Sequence, residues 1–229
     1  MNVQLINECK EAFSKHLQSL FLQQNGKEIT YKWDVISNWK EHFDLDYRVL
    51  YESLDKALCS DYSRSLWEGE KHSIKSGLLM LIKENPIFME AAFQNLFDEN
   101  KDISMRFNRF LFHCDELLET IHKRDDRINT HFQDAHAVSL YLSLEYPEKY
   151  CLFQYDLFHS FMEKIGSRNI PVEQDKERFY KMLHAIYIVI SKDADFMNGW
   201  QFLVKEANYT GKSLFLISDL MHFTIANRS

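Results

Sequence analysis

Apolar residues recur along most of this chain at intervals of three and four, the spacing that places them on one face of an α-helix. From the N-terminus Ile6, Cys9, Phe13, Leu17 and Leu20 form such a stripe, and Asn25-Gly26 is positioned to stop it. Trp33, Ile36, Trp39 and Phe43 mark a second helix, and Asp46 to Leu58 a third with Asp46 as its N-cap. Residues 60–73, SDYSRSLWEGEKHS, lack any helical stripe and read as a loop. A helix from about Ile74 is ended by Pro86, which with Asn85 opens the next helix as cap and first residue. The longest regular stripe is Ile103, Phe107, Phe110, Cys114, Leu117 and Ile121. A polar connection over 122–133 follows, then a helix from Asp134 to Glu145 that Pro147 terminates. After an aromatic stretch, helix resumes at Asp156 and stops at Gly166, and three further runs cover roughly Asp175–Lys192, Ala194–Asn208 and Ser213–Ala226.

The fold class that follows is mainly α. We expect an irregular multi-helix domain with a short extended aromatic segment or small hairpin near residues 149–155, where KYCLFQY interrupts the helical pattern. Only 6 glycines and 3 prolines occur in 229 residues, too few for the turns of a many-stranded β fold. No repeat or linker divides the chain. It reads as one domain over 1–229, or as two lobes that meet near 125 or 168.

Charge narrows the function classes. A net charge of -7 opposes bulk attraction of polyanions, so a nucleic-acid site would have to be a local cationic patch. Cys9, Cys59, Cys114 and Cys151 are far apart and form no CxxC, which signals neither zinc nor a disulfide framework and fits a reducing cytoplasm. No basic-then-apolar leader opens the sequence, and no apolar run reaches membrane-spanning length.

Candidate chemistry is sparse. Thr210–Phe215, TGKSLF, imitates the end of a phosphate-binding loop, but Glu206 stands where that loop requires glycine. Arg106 with His113, Arg124 with His131 and Arg178 with His184 match the Arg-to-His spacing of helical ribonucleases of the HEPN kind; with 10 histidines in the chain, composition alone generates such matches. His131, Asp134 and His136 are spaced wrongly for one helix face, so no metal or cofactor is expected, and Asp134 reads as an N-cap. Two stretches mix cations with aromatics outside regular helix. They supply Arg64, Trp67, Lys71 and Lys75 in the first and Lys149 and Tyr150 in the second, a composition suited to phosphate contact and base stacking, with core packing as the alternative use of the rings.

The run DAHAVSLYLSLEYPEKYCLFQYDLF, preceded in order by YKWDVISNWKEHFDLD, by LW in a loop and by IKSGLLMLIKENPIFMEAAFQNLFDENKDISMRFNRF, resembles the N-terminal domain that precedes the AAA+ motor in McrB-like subunits of modification-dependent restriction systems. The likeness spans roughly residues 30–166. Cys151, Phe153 and Gln154 depart from the Tyr-Lys pairs common after that proline in the family, and the chain carries no motor. The resemblance implies a non-catalytic DNA-recognition or regulatory module in anti-phage defence. Its expected partners are DNA, modified or not, and, in the family setting, the AAA+ motor and a nuclease subunit; the six residues named above are the expected nucleic-acid contacts. The alternative is a protein-interaction module acting as sensor or dock.

Overall fold

The computed structural model describes residues 1–22, 27–59, 66, 68–69, 72–205, 209 and 211–227. It is mainly helical. Among the described residues the chain forms α1 (Val3–Leu22), α2 (Lys27–His42), α3 (Leu50–Ala57), α4 (Ile74–Glu84), α5 (Pro86–Phe97), α6 (Ile103–His122), α7 (Ala135–Glu145), α8 (Tyr155–Lys164), α9 (Lys176–Ile190), α10 (Ala194–Val204) and α11 (Phe215–Ala226). The strands β1 (Glu68–Gly69) and β2 (His72–Ser73) pair antiparallel, Glu68 opposite Ser73 and Gly69 opposite His72, within the stretch expected to be loop. No described helix is long and apolar enough to cross a membrane.

The chain divides into two compact units, one built from Met1–Asp34 with Tyr146–Ser229, the other from Val35–Glu145. The divisions therefore fall inside α2 and just after α7, not near 125 or 168. The polar connection over 122–133 fails as a boundary because it is built into its own unit: His131 and Gln133 are buried there. The second candidate, the loop after Gly166, likewise lies inside the other unit.

In the unit formed by Val35–Glu145, α5 and α6 pack as a helical hairpin, with α4 and α7 against them. Ile103, Phe107, Phe110, Cys114, Leu117 and Ile121 are all buried, as the stripe requires. Asn85 accepts a hydrogen bond from the Phe88 N–H (3.1 Å), Asp102 from Met105 (2.8 Å) and Asp134 from Ala137 (2.9 Å), so each caps its helix. Asp46 does not cap α3. Its carboxylate instead accepts from the Arg48 N–H and guanidinium, a local turn that competes with the capping geometry. Gly77 on α4 is required by close approach, since a Cβ there would lie 2.0 Å from the His131 carbonyl oxygen.

In the other unit α11 packs on α8, α1 and α9. Gly166, at φ 68°, ends α8 as only glycine does comfortably: its N–H reaches the Glu163 carbonyl (2.9 Å) and the Ser167 N–H reaches Met162 (2.9 Å). Residues 150–154, between the Pro147 turn and α8, form neither helix nor strand. Their side chains face inward. Tyr150, Cys151, Leu152 and Phe153 are buried, Tyr150 meets Tyr180 edge-on at 5.0 Å, and Phe153 lies 4.7 Å from Phe179. The aromatic segment exists as expected, and the hairpin alternative is not what it forms.

Candidate nucleic-acid interface

The six residues expected to touch nucleic acid divide into three groups. Arg64, Trp67 and Lys71 lie outside the described residues. Lys75 is on α4, where its ammonium is 2.7 Å from both the Asp55 carboxylate and the Asp55 carbonyl. That neutralises it locally, so its charge is committed within the fold. Lys149 and Tyr150 belong to the other unit, and their neighbourhood is where cations and rings come together.

The expectation for Tyr150 needs correction. Its ring is only 7% exposed and is enclosed by Tyr146 and Tyr180, so it cannot present a face to a base. Tyr180 explains the burial: it fixes the segment through its hydroxyl, which donates to the Cys151 carbonyl at 3.0 Å.

Lys149 is exposed on the turn that Pro147 begins, with its ammonium 5.2 Å from the centre of the Tyr146 ring. Its carbonyl accepts from the His184 ring Nε2 at 3.0 Å, which places the imidazole proton on Nε2 and ties α9 to the turn. Burial holds the His184 pKa below its ordinary value, assisted by the positive charge of Lys212; the bond to Lys149 and the charge of Glu148 act in the opposite sense. Lys212 is exposed, with its ammonium 4.4 Å above the Tyr187 ring, one turn along α9 from His184. The Leu214 N–H donates to the Pro147 carbonyl at 2.8 Å, so the residues leading into α11 are pinned to the same turn. His184 thus holds the Lys149 backbone and feels the charge of Lys212, and each lysine lies over a tyrosine. A cavity of about 100 Å³ adjoins Lys212 and Tyr187, lined also by Gln201, Gly211 and Ser213.

Lys212 escaped the sequence reading although its motif stood out. TGKS fails as a phosphate-binding loop, and the useful signal was the lysine itself beside a helix start, made meaningful only by Tyr187 across the fold.

The other candidate constellations separate. Arg106 is buried and donates to the Leu96 carbonyl (2.9 Å) and Glu99 (2.7 Å), whereas His113 pairs with Glu116 (3.0 Å). Arg124 pairs with Glu84, and the buried His131 with Asp115 at 3.0 Å. Arg178 donates to the Asn169 carbonyl while His184 turns to Lys149. In each pair the arginine and histidine serve different partners. His136 faces the Leu66 carbonyl at 3.3 Å, so His131 and His136 do not share a ligand position.

One buried polar group was not anticipated from the sequence. Lys32 on α2 forms an ion pair with Asp219 on α11, both nearly inaccessible. Burial, the largest single influence, disfavours the ammonium, but the charge and hydrogen bond of Asp219 together with Tyr31 and Cys151 outweigh it and raise the Lys32 pKa. Burial pushes the Asp219 carboxyl up and the Cys151 thiol up to about 12. Asp219 Oδ2 and the Ser218 hydroxyl have no hydrogen-bond partner among the described residues.

Comparison of the chain with known protein families, with curated proteins and with solved structures finds no match.

Proposed function

We propose that the chain is a non-catalytic, cytoplasmic recognition module for nucleic acid, of the kind that serves McrB-like restriction ATPases, with the Pro147 turn as its contact surface. The observation that carries this reading is the pairing of Lys149 with Tyr146 and Lys212 with Tyr187 around one histidine. Two exposed cations on aromatic platforms suit phosphate contact with an adjacent base stacked or wedged. The acidity of the rest of the chain limits non-specific attachment. Recognition of modified bases and delivery to a motor and nuclease follow from the family resemblance and belong to the same proposal.

The test is fluorescence anisotropy of the purified chain with short single- and double-stranded DNA, with and without modified cytosine, at two salt concentrations. The variant Lys149→Ala/Lys212→Ala is expected to weaken binding on every sequence and to reduce the salt slope by about 2, one for each lysine that no longer neutralises a phosphate. Unchanged affinity and slope would sink the assignment of this surface.

A protein-docking role has its own observation. The α5–α6 hairpin leaves Ile87, Met105 and Phe112 exposed, at 62%, 45% and 58%. Absence of DNA binding at low salt together with capture of a protein that Phe112→Ser abolishes would favour that role instead.

A further inference from the structure

The helix α6 carries apolar residues on two sides. The stripe from Ile103 to Ile121 is buried within its unit, whereas Met105 and Phe112 face the opposite way and are exposed, Phe112 at 58%. A helix with one buried stripe ordinarily turns polar side chains outward. Met105, Arg109, Phe112 and Glu116 follow one another at intervals of four, three and four, so they form a second stripe, and Lys123 at the C-cap lies in line with it; all five are exposed. On α5 the exposed Ile87 adds to this surface, since Phe88 beside it in sequence meets His113 edge-on at 4.9 Å.

The charges on this outer stripe are arranged about Phe112. Arg109 precedes it by three residues and forms no ion pair among the described residues, and Glu116 follows it by four, its carboxylate 3.0 Å from the His113 ring of the same helix. That order is complementary to itself. When a second α6 is laid antiparallel and crosses the first at Phe112, the two Phe112 rings meet, each Arg109 faces the partner's Glu116, and each Met105 faces the partner's Thr120. Further out, Asp102 at the start of the helix faces the partner's Lys123 at its end, where the helix dipoles also attract. A parallel arrangement would instead set Arg109 against the partner's Arg109 and Glu116 against the partner's Glu116. A partner of one charge sign is not selected by a stripe that alternates cation and carboxylate, whereas a two-fold contact requires a patch that complements itself. With 20 residues α6 is about 30 Å long, enough for a full helix-to-helix contact.

We infer that the chain forms a two-fold symmetric dimer through the outer face of α6, antiparallel and crossing at Phe112, with reciprocal ion pairs between Arg109 and the partner's Glu116. A second copy, rather than a foreign protein, is then the occupant of the exposed α5–α6 surface. Few large apolar side chains are exposed there, which fits a reversible association in the micromolar range. The dimer face shares no residue with the Lys149 and Lys212 surface, so failure of either reading leaves the other to its own test.

Sedimentation velocity of the full chain across a concentration series decides it. The parent should pass reversibly from monomer to dimer. Phe112→Ser should weaken the dimer at least about tenfold, and Arg109→Glu or Glu116→Arg alone should do the same, because each sets like charges opposite one another at two places. An equimolar mixture of the Arg109→Glu and Glu116→Arg chains should restore dimerisation, since both ion pairs then re-form with the signs of one exchanged, and the double variant Arg109→Glu/Glu116→Arg should dimerise like the parent. Every substituted residue is exposed, so all variants should keep the parent melting temperature. A parent chain that stays monomeric up to millimolar concentration overturns the inference, including where Phe112 captures another protein or DNA instead. So does a dimer that Phe112→Ser leaves intact, or a mixture of the two folded charge variants that remains monomeric.

Discussion

The two units differ in how some of their buried polar groups are paired. In the unit formed by Val35–Glu145 one group of buried polar side chains, Tyr141, Gln133 and His131, is linked in series. The Tyr141 hydroxyl donates to Gln133 Oε1 (2.6 Å), the Gln133 amide donates to the Ile74 and His131 carbonyls (both 2.9 Å), and the His131 ring accepts from the Gln133 N–H while facing Asp115. Trp39 Nε1 donates to Glu145 at 2.8 Å. The other unit buries the Lys32–Asp219 ion pair, and there Trp33 Nε1, the Ser218 hydroxyl and Asp219 Oδ2 lack partners among the described residues. That unit also lines the cavity beside Lys212. A satisfied network fixes one arrangement of the helices, whereas a core with unfilled polar valences and open space retains room for a ligand. The candidate nucleic-acid surface lies in the second kind of unit.

The sharpest way to break this contrast is to remove one member of the ion pair. Asp219→Ala leaves the Lys32 ammonium buried beside Phe215 with no counter-charge, and we expect a loss of about 3–5 kcal/mol in urea unfolding. Lys32→Met/Asp219→Leu, which removes both charges and keeps volume, should return stability to within about 1 kcal/mol of the parent or exceed it. A loss below about 1 kcal/mol for Asp219→Ala would mean that the pair is hydrated and that the two units do not differ in this respect.

Deleting one hydroxyl from each unit sharpens the comparison at smaller scale. Tyr141→Phe strands Gln133 Oε1 in a fully buried site and should cost about 1–3 kcal/mol. Ser218→Ala removes a buried hydroxyl that has no partner among the described residues, and should leave stability unchanged or slightly improved. Equal costs in the two variants would erase the distinction between the linked hydroxyl of Tyr141 and that of Ser218.

The helices of both units were legible because an apolar stripe is a local property. Ile103 to Ile121 and the caps Asn85 and Asp134 need no knowledge of what packs on them. Asp46 was misread because a carboxylate before a helix has two local uses, and the bond to Arg48 two residues on took precedence over the cap. The network was not legible at all: Gln133 reaches Ile74 across 59 residues, and Lys32 reaches Asp219 across 187. Periodicity carries no record of such pairings. The same limit governed the candidate site. Lys149 was found from the local mixture of lysine and tyrosine around Pro147, yet that mixture could not say that Tyr150 turns inward to Tyr180. It could not reveal Lys212 or His184 either, since only the packing of α9 and the start of α11 against the turn brings them near. Cations in a loop are visible in sequence; which rings lie beneath them is a property of the fold.

The smallest effect expected is a proton-linked one at His184. Its pKa is held below the ordinary histidine value chiefly by burial and then by Lys212, so the unfolded chain takes up a proton at this position before the folded chain does. The contribution to stability is therefore complete above the unfolded histidine pKa and is lost as pH falls from about 6.5 through the lower folded value. The parent protein should unfold at lower urea concentration at about pH 5.5 than at about pH 7.5, and His184→Gln should flatten that dependence. Lys212→Ala removes a positive neighbour, so an NMR titration of the His184 ring should shift upward in that variant. A downward shift, or none, would separate Lys212 from His184 and remove the grouping of cations on which the proposed interface rests.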